Sequence, residues 1–110
     1  NTKPGMKVNC EEMFAPVKTV EPYDEFGEAI GRINQSRFGL QAGVFVRDSK
    51  LLFQAYDDLE VGGVIAGDVP TFRIDNMPYG GIKDSGLGRE GLSYAIEEMT
   101  DPKLLVMNIR

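Results

Sequence analysis

Two short segments of this sequence combine residue types that could take part in a functional site. In the segment 12–17 (EMFAPV), Glu12 and Phe14 are two residues apart, so both side chains would face the same side of an extended chain. A carboxylate accepts hydrogen bonds well, and an aromatic ring offers a large apolar surface. A lead-in to the following strand explains the pattern equally well, so the local sequence leaves both interpretations open.

The second segment, 77–86 (MPYGGIKDSG), is rich in glycine and polar residues. Its two adjacent glycines allow the backbone to approach a neighbour closely or to adopt a positive φ angle. Bulky apolar side chains are unusual in such a loop, yet Phe72, Met77 and Tyr79 lie in or just before it. We therefore expect these three side chains to line a ligand site.

The residues 86–91 (GLGREG) match the G-x-G-x-x-G pattern of dinucleotide-binding loops and open a predicted helix. That fingerprint requires a strand directly before the first glycine, whereas the preceding predicted strand ends near Ala66. Glycine is also abundant, at 13 of 110 residues, which makes chance matches common. We interpret the segment as a glycine-shaped loop that enters a helix.

The composition excludes several kinds of catalytic site within this chain. Without histidine, the chain lacks the commonest general base and the commonest zinc ligand, so neither a Ser-His-Asp nor a Cys-His site can form. No metal site is predicted. Cys10 is the only cysteine, which excludes an internal disulfide, and the sequence supplies no base beside it. We interpret Cys10 as a bystander.

The charge and hydropathy argue against two kinds of partner. With 12 Lys and Arg against 17 Asp and Glu, the net charge is −5, which disfavours nucleic acid and anionic membrane surfaces. No apolar run approaches the roughly 20 residues that a membrane-spanning helix needs. We expect a cytoplasmic protein with neither nucleic acid nor a membrane as a partner.

Short β-rich runs alternate with helical stripes along the chain. The pattern predicts strands at 17–20, 42–47, 62–66 and 103–109, with helices that begin after Asp24, Ser49 and Arg89 and a long loop over 67–88. Asp24 and Ser49 are the predicted N-caps of the first two helices. The predicted order is βαβαβ, long loop, αβ, which favours an α/β fold with parallel strands.

Two features of this pattern predict that the chain is incomplete as a domain. Three helices over three or four parallel strands leave one face or one edge of the sheet bare. The loop over 67–88 also exceeds the roughly 12–15 residues that a structureless loop usually has. We expect the chain to form part of a larger structure.

Four segments resemble the C-terminal part of the NAD(P)-dependent aldehyde dehydrogenases, in this order and at these spacings. They are 11–20 (EEMFAPVKTV), 33–48 (INQSRFGLQAGVFVRD), 77–91 (MPYGGIKDSGLGREG) and 97–106 (EEMTDPKLLV). The resemblance extends from about Cys10 to Ile109. It implies the parallel-sheet, C-terminal part of the family's α/β catalytic domain at 1–102, followed by a terminal oligomerisation strand at 103–110.

The resemblance also implies roles for individual residues. Glu12 would accept hydrogen bonds from the nicotinamide-side ribose and Phe14 would pack beside the nicotinamide ring, although Ala15 stands where the family usually has glycine. Phe72 and Tyr79 would line the substrate tunnel. Arg73, beside Phe72, could meet an anionic substrate tail. The turn 70–73 (PTFR) resembles that of members acting on small, polar aldehydes.

In the family that these segments resemble, NAD or NADP takes the hydride as an aldehyde is oxidised to a carboxylic acid through a cysteine thioester. The catalytic cysteine and the general-base glutamate lie upstream of the matched region, so the resemblance implies no catalytic residue in this chain and no activity alone. The implied partners are a small aldehyde and further copies in a homo-oligomer. The alternative is a stand-alone α/β assembly or binding module that has kept the family's tail.

Overall fold

The structure is a computed structural model and describes residues 2–109. Its elements follow the chain in this order: α1 (Lys7–Cys10), α2 (Phe26–Asn34), β1 (Phe38–Gly39), β2 (Gln41–Val44), α3 (Ser49–Asp58), β3 (Gly63–Ala66), β4 (Ile82–Lys83) and α4 (Leu92–Glu98). The single turn of α1 was not predicted from the sequence.

The central unit is a parallel pair of strands joined by a helix. β2 and β3 pair in parallel, from Gln41 opposite Gly63 to Val44 opposite Ala66. Because parallel strands require a crossover connection, α3 runs between them and packs against β3. The prediction of a strand, a helix and a parallel strand over this region is confirmed, with strand bounds that differ by a few residues.

A second, antiparallel pair takes one of its two strands, β4, from the region predicted as a long loop. β1 pairs with β4, with Phe38 opposite Lys83 and Gly39 opposite Ile82. An isolated antiparallel bridge also joins Tyr79 to Glu90. The prediction of a loop without structure over 67–88 is therefore wrong. Two-residue strands are too short to show alternation in the sequence, and only their distant partners define them.

The predicted strands at 17–20 and 103–109 do not form within the described residues. Both segments lack assigned secondary structure. Their β-branched and apolar residues favour an extended backbone, but a strand also requires a neighbour that accepts and donates its hydrogen bonds. The predicted order βαβαβ, loop, αβ is therefore wrong within residues 2–109, and the order above replaces it. Pairing of 103–110 with another subunit stays a prediction.

The helix starts differ from the predicted caps by one residue each. For α2 the N-cap is Glu25 rather than Asp24, and its side chain makes no capping hydrogen bond. For α3 the N-cap is Asp48 rather than Ser49, and its Oδ1 accepts from the backbone N–H of Lys50 at 2.8 Å. A carboxylate is a strong acceptor at a helix N-terminus, where the unpaired N–H groups and the helix dipole both favour negative charge.

The core of the described chain is small, and the molecule is elongated. The Cα radius of gyration is 18.8 Å, against about 13 Å for a compact chain of this length. Many large apolar side chains are exposed, among them Phe14, Val20 and Leu104. A large number of apolar side chains is thus accessible to solvent in the described chain. The five buried core residues come from α2, β2, α3 and the residue directly after α3: Ile30, Ala42, Val44, Ala55 and Leu59.

Candidate functional site

The loop that follows β3 crosses directly over β2. A Cβ atom added at Gly43 would lie 2.6 Å from the carbonyl oxygen of Asp68 and 3.1 Å from Pro70, so the loop backbone rests on the strand at this glycine. Farther along the loop, Nε2 of Gln41 donates to the carbonyls of Pro70 at 2.8 Å and Phe72 at 3.2 Å. β2 therefore positions the backbone on which Phe72 is carried.

Arg73, Tyr79 and Glu90 form a cluster beside this loop, which we call the Arg73 cluster. Cζ of Arg73 lies 4.5 Å from the centroid of the Tyr79 ring, and its Nη2 donates to Oε2 of Glu90 at 2.7 Å. The backbones of Tyr79 and Glu90 exchange two hydrogen bonds, of 3.0 and 2.6 Å. The sequence-predicted residues Phe72 and Tyr79 are thus brought into one region, with Arg73 between them.

The Arg73 cluster is open to solvent and carries a cation with unused donors. The side chain of Arg73 is 46% exposed, and only Nη2 has a hydrogen-bond partner within residues 2–109. A guanidinium can donate two parallel hydrogen bonds to a carboxylate, phosphate or sulfonate, and the face of Tyr79 stabilises its charge. The arrangement is suited to the negatively charged end of a small ligand.

Close backbone contacts explain the adjacent glycines before β4. A Cβ atom at Gly80 would lie 2.5 Å from the carbonyl oxygen of Gly88, and one at Gly81 would collide with Ser85. A Cβ atom at Gly62 would in turn collide with the carbonyl of Gly80. The prediction that these glycines allow a close backbone approach is confirmed. This packing holds the turn that carries Tyr79.

The turn around β4 is also fastened to the end of α2 and to β1. Lys83 has a φ of 55°, and its Nζ donates to the carbonyl of Asn34 at 2.8 Å. The same ammonium lies 2.7 Å from Oε2 of Glu60. Oγ of Ser85 accepts from the backbone N–H of Gly39 at 2.9 Å. These contacts connect the turn to the part of the chain that contains the core.

The glycine-rich segment 86–91 folds back onto α4. Its three glycines all have positive φ, of 122°, 73° and 115°. The backbone N–H of Arg89 donates to Oε1 of Glu98 at 3.0 Å, while Nη1 of Arg89 donates to the carbonyls of Gly81 at 3.0 Å and Gly88 at 2.7 Å. The segment is a glycine-shaped loop that enters a helix, as predicted, and a groove of about 550 Å³ lies between it, Arg73 and α4.

The predicted cofactor residues lie apart from these contacts, on the N-terminal arm. Glu12 and Phe14 are both exposed, Phe14 to 94%, in a segment without regular structure. Two successive backbone turns shape this segment. The N–H of Ala15 donates to the carbonyl of Met13 at 2.8 Å, and the N–H of Val17 donates to the carbonyl of Ala15 at 2.7 Å. Across the part of the chain that the structure describes, neither Glu12 nor Phe14 has a hydrogen bond or an ion pair.

Cys10 is exposed at the end of α1, and its thiol donates to the carbonyl of Pro4 at 2.8 Å. Within residues 2–109, no group of three or more Cys, Asp and Glu side chains is placed to hold a metal ion. No helix in that same stretch is both long and apolar enough to cross a membrane.

Sequence reasoning missed two residues of this region. Gln41 lies directly before the predicted strand 42–47 and was given no role, and Glu90 lies in the segment 86–91, which was interpreted as a loop entering a helix. The available signal for Gln41 was a long polar side chain inside the otherwise apolar run 38–46. For Glu90 the sequence holds no comparable signal, because its partners Arg73 and Tyr79 are brought to it only by the fold.

Comparison with known proteins identifies relatives over nearly the whole chain. The sequence model of the aldehyde dehydrogenase family matches residues 1–105. The 3-sulfolactaldehyde dehydrogenase of Priestia aryabhattai is 46% identical over 109 residues, which cover 99% of this chain and 23% of that protein. The lactaldehyde dehydrogenase of Methanococcus aeolicus is 48% identical over 99 residues, which cover 90% of this chain and 21% of that protein.

Solved structures show the same relationship. Aldehyde dehydrogenase 21 from Physcomitrella patens, in complex with its reaction product succinate, superposes with a TM-score of 0.92 and 44% identity, covering 96% of this chain and 22% of that one. The NAD+ complex of an aldehyde dehydrogenase from Bacillus cereus superposes with a TM-score of 0.90 and 37% identity. The match covers 100% of this chain and 22% of that one. Glyceraldehyde-3-phosphate dehydrogenase GapN from Methanocaldococcus jannaschii, complexed with NADP, superposes with a TM-score of 0.66 and 45% identity. The match covers 68% of this chain and 16% of that one.

These matches agree with the four motifs and with the α/β arrangement of the described residues. The chain spans only about a quarter of the length of the curated relatives it matches, at 23% of the first. Because the family's sequence model covers nearly all of it, and because structures of that family superpose closely on it, the chain belongs to the aldehyde dehydrogenase family.

Proposed function

We propose that this chain is the C-terminal part of the catalytic domain of an NAD(P)-dependent aldehyde dehydrogenase, and that the enzyme oxidises a small aldehyde with an anionic tail. The observation that carries the anionic preference is the Arg73 cluster, in which an exposed guanidinium rests on Tyr79 directly after Phe72. Two similar proteins support it. One is named for a sulfonated aldehyde, and the other was solved with succinate, a dicarboxylate.

The chemistry of Arg73 suits a tail that carries oxygen anions. An arginine side chain carries a positive charge on a planar fork of N–H donors, which matches a carboxylate or sulfonate. Glu90 occupies one edge through Nη2, and the ring of Tyr79 supports one face. The other guanidinium N–H groups have no hydrogen-bond partner within residues 2–109, and we assign them to the tail of the substrate. Phe72 then provides apolar surface next to the tail, which would favour a short carbon chain.

The exposed pair on the N-terminal arm fits the nicotinamide end of NAD or NADP. Glu12 presents a carboxylate without a partner in the described chain, and Phe14 presents an almost fully exposed ring. When bound, the nicotinamide accepts a hydride from the substrate carbon. Glu12 would accept hydrogen bonds from ribose hydroxyls, and Phe14 would pack against the nicotinamide ring and limit its orientation.

The remainder of the catalytic apparatus would come from protein outside this chain. The cysteine that forms the thioester and the glutamate that activates water belong to the upstream part of the family's sequence, so we expect this chain to be inactive alone. The described part of the chain buries only five core residues and exposes many large apolar side chains. Such a surface supports the proposal that further protein packs against this chain. Within the chain, we assign 1–102 to the catalytic domain and 103–110 to an oligomerisation strand.

The oligomerisation strand is supported by exposed apolar residues at the end of the chain. Leu104, Leu105 and Val106 are 86%, 79% and 78% exposed. An extended apolar segment of this kind can add a strand to the sheet of a neighbouring subunit. The same segment favours the alternative function, a stand-alone assembly or binding module. That alternative requires the isolated chain to melt cooperatively and to form a closed oligomer.

The experiment that tests the anionic preference compares two substrates in the full-length enzyme. 3-Sulfolactaldehyde and lactaldehyde differ only in that one carries a sulfonate group, so their ratio of kcat/KM isolates the anionic tail. Replacing Arg73 with methionine should lower kcat/KM for the sulfonated aldehyde by about 10- to 100-fold, because hydrogen bonds to a charged group are lost. For lactaldehyde, kcat/KM should change by less than about threefold.

Arg47→Met is the matched control, since Arg47 is exposed and has no hydrogen bond or ion pair within residues 2–109. It should leave both substrates unaffected. An equal loss for both aldehydes with R73M, or no loss for either, would contradict the assignment of Arg73 to the anionic tail.

A further inference from the structure

We infer that Gln41 is a positioning residue of the substrate site, and that its side-chain amide sets where the loop bearing Phe72 and Arg73 lies. The inference rests on the proposed function, in which those two residues contact the aldehyde. Gln41 itself belongs to β2 and reaches only the loop backbone, through the carbonyls of Pro70 and Phe72. Its effect on the substrate is therefore indirect.

The geometry of the two hydrogen bonds is the first argument. The amide nitrogen of Gln41 lies 2.8 Å from the carbonyl oxygen of Pro70 and 3.2 Å from that of Phe72. A carboxamide nitrogen has two hydrogens, so both of its donors are used, one for each carbonyl. The two carbonyls belong to residues on either side of Thr71. One side chain therefore holds both ends of the turn that leads into Arg73.

The side chain of Gln41 lies over a glycine of the neighbouring strand. Gln41 is opposite Gly63 in the parallel pair, and a Cβ atom added at Gly63 would lie 2.9 Å from Oε1 of Gln41. The absent side chain of Gly63 thus leaves the space in which the Gln41 amide lies. At Gly43, two residues along β2, the missing side chain allows the carbonyl of Asp68 to approach the strand. The two glycines let the loop and the amide lie close to the sheet.

Among the described residues, the loop has few other hydrogen bonds to the parallel pair of strands. At its beginning, the loop is fastened to β2 by the N–H of Gly67, which donates to the carbonyl of Val44 at 2.9 Å. Between there and Phe72, the other described hydrogen bonds are internal to the loop, such as Phe72 N–H to Val69 at 3.1 Å. Gln41 is therefore the second attachment of the loop to the parallel pair, at the end next to the proposed substrate contacts.

The experiment uses the full-length enzyme with Gln41 replaced by methionine or by glutamate. Methionine keeps the length of the side chain without donors, and glutamate puts a carboxylate against two carbonyl oxygens. We expect the aldehyde KM to rise about tenfold for Q41M and further for Q41E, since misplacing a substrate contact weakens substrate binding. The kcat and the KM for NAD or NADP should stay within about twofold, because the cofactor residues lie on the arm.

A second measurement detects the loop itself. Trypsin cleaves after arginine, and a loop that has lost its attachment opens more often, so cleavage after Arg73 should be faster in Q41M than in the parent enzyme. Gln54→Met, on the exposed face of α3, is the matched control. It should change neither the aldehyde KM nor the cleavage rate.

The outcomes separate this inference from the proposed function. If R73M weakens the sulfonated aldehyde while Q41M changes neither its KM nor cleavage after Arg73, the role of Gln41 is overturned and the proposed function stands. If neither variant affects the aldehyde, both are overturned. If Q41M lowers the melting temperature and changes aldehyde and cofactor kinetics equally, Gln41 is a general stabilising residue and the inference is wrong.

Discussion

The ammonium of Lys83 donates to the backbone carbonyl of Asn34, at 2.8 Å, and so joins the turn before the glycine-rich loop to the last residue of α2. Carbonyls at the end of a helix lack partners within the helix and carry partial negative charge, which favours a cation there. The side chain of Lys83 is only 24% exposed and also pairs with Glu60. One side chain therefore links α2, the entrance to β3 and the turn that carries Tyr79.

Replacing Lys83 with methionine should destabilise the full-length enzyme by about 1–3 kcal/mol, because the Asn34 carbonyl and the Glu60 carboxylate lose a charged donor. Arginine at this position should restore much of the loss. The shift of the urea unfolding midpoint measures both effects. Asp84→Asn is the control, since it breaks a well-exposed pair with Arg37, where we expect less than about 1 kcal/mol. Equal shifts for the two variants would contradict this account.

The close packing of the glycines predicts opposite effects for two alanine substitutions. Gly62→Ala should cost about 3 kcal/mol or prevent folding, because its Cβ would collide with the carbonyl of Gly80. Gly31→Ala should stabilise the enzyme by up to about 1 kcal/mol, because it lies within α2 with nothing within 4 Å of the added atom. Thermal melts of both variants measure the difference. Destabilisation by Gly31→Ala would show that other protein packs against that face of α2.

Phe14→Ala tests the cofactor wall. In the full-length enzyme it should raise the KM for NAD or NADP about tenfold, because a contact with the nicotinamide ring is lost. The KM for the aldehyde should remain within about twofold when the cofactor is saturating. Val20→Ala is the control, since Val20 is 91% exposed on the same arm and has no proposed role. A loss of thermal stability without a change in cofactor KM would show that Phe14 is a packing residue.

Removal of 103–110 tests the oligomerisation strand. We expect the truncated enzyme to elute from size-exclusion chromatography as a smaller species, because the strand it contributes to a neighbour is gone. Light scattering gives the molar mass of each species. The control is Leu87→Ser, since Leu87 is fully exposed and lies outside this segment. An unchanged oligomer after truncation would reject the assignment of this segment to subunit contacts.

The sequence predicted those parts of the fold whose pattern repeats over several residues. The apolar stripe of α2, with Ile30 at its centre, and the parallel pair around α3 both follow from local periodicity. β1 and β4 did not, because each is two residues long and is defined only by its partner. Hydrogen bonds between distant side chains, such as those of Lys83 and Gln41, leave no periodic trace in the sequence.

The site shows the same division. Tyr79 and Phe72 were predictable as apolar side chains in a glycine-rich region, whereas Glu90 was not, because its ion pair with Arg73 exists only after the chain has folded. The roles of Glu12 and Phe14 follow from the family resemblance. Both side chains are exposed on an arm without regular structure, and neither residue carries a local signal beyond the spacing of the pair.

The bridge from Gln41 to the loop has a consequence for how substrate preference can diverge. Gln41 binds backbone carbonyls alone, so the bridge does not depend on which side chains occupy positions 71–73. Under the proposed function, substitutions there would alter the charge and size of the aldehyde that the enzyme accepts, while the path of the backbone is kept. On that proposal, substrate specificity could diverge through the loop side chains alone, without any change in β2 beneath the loop.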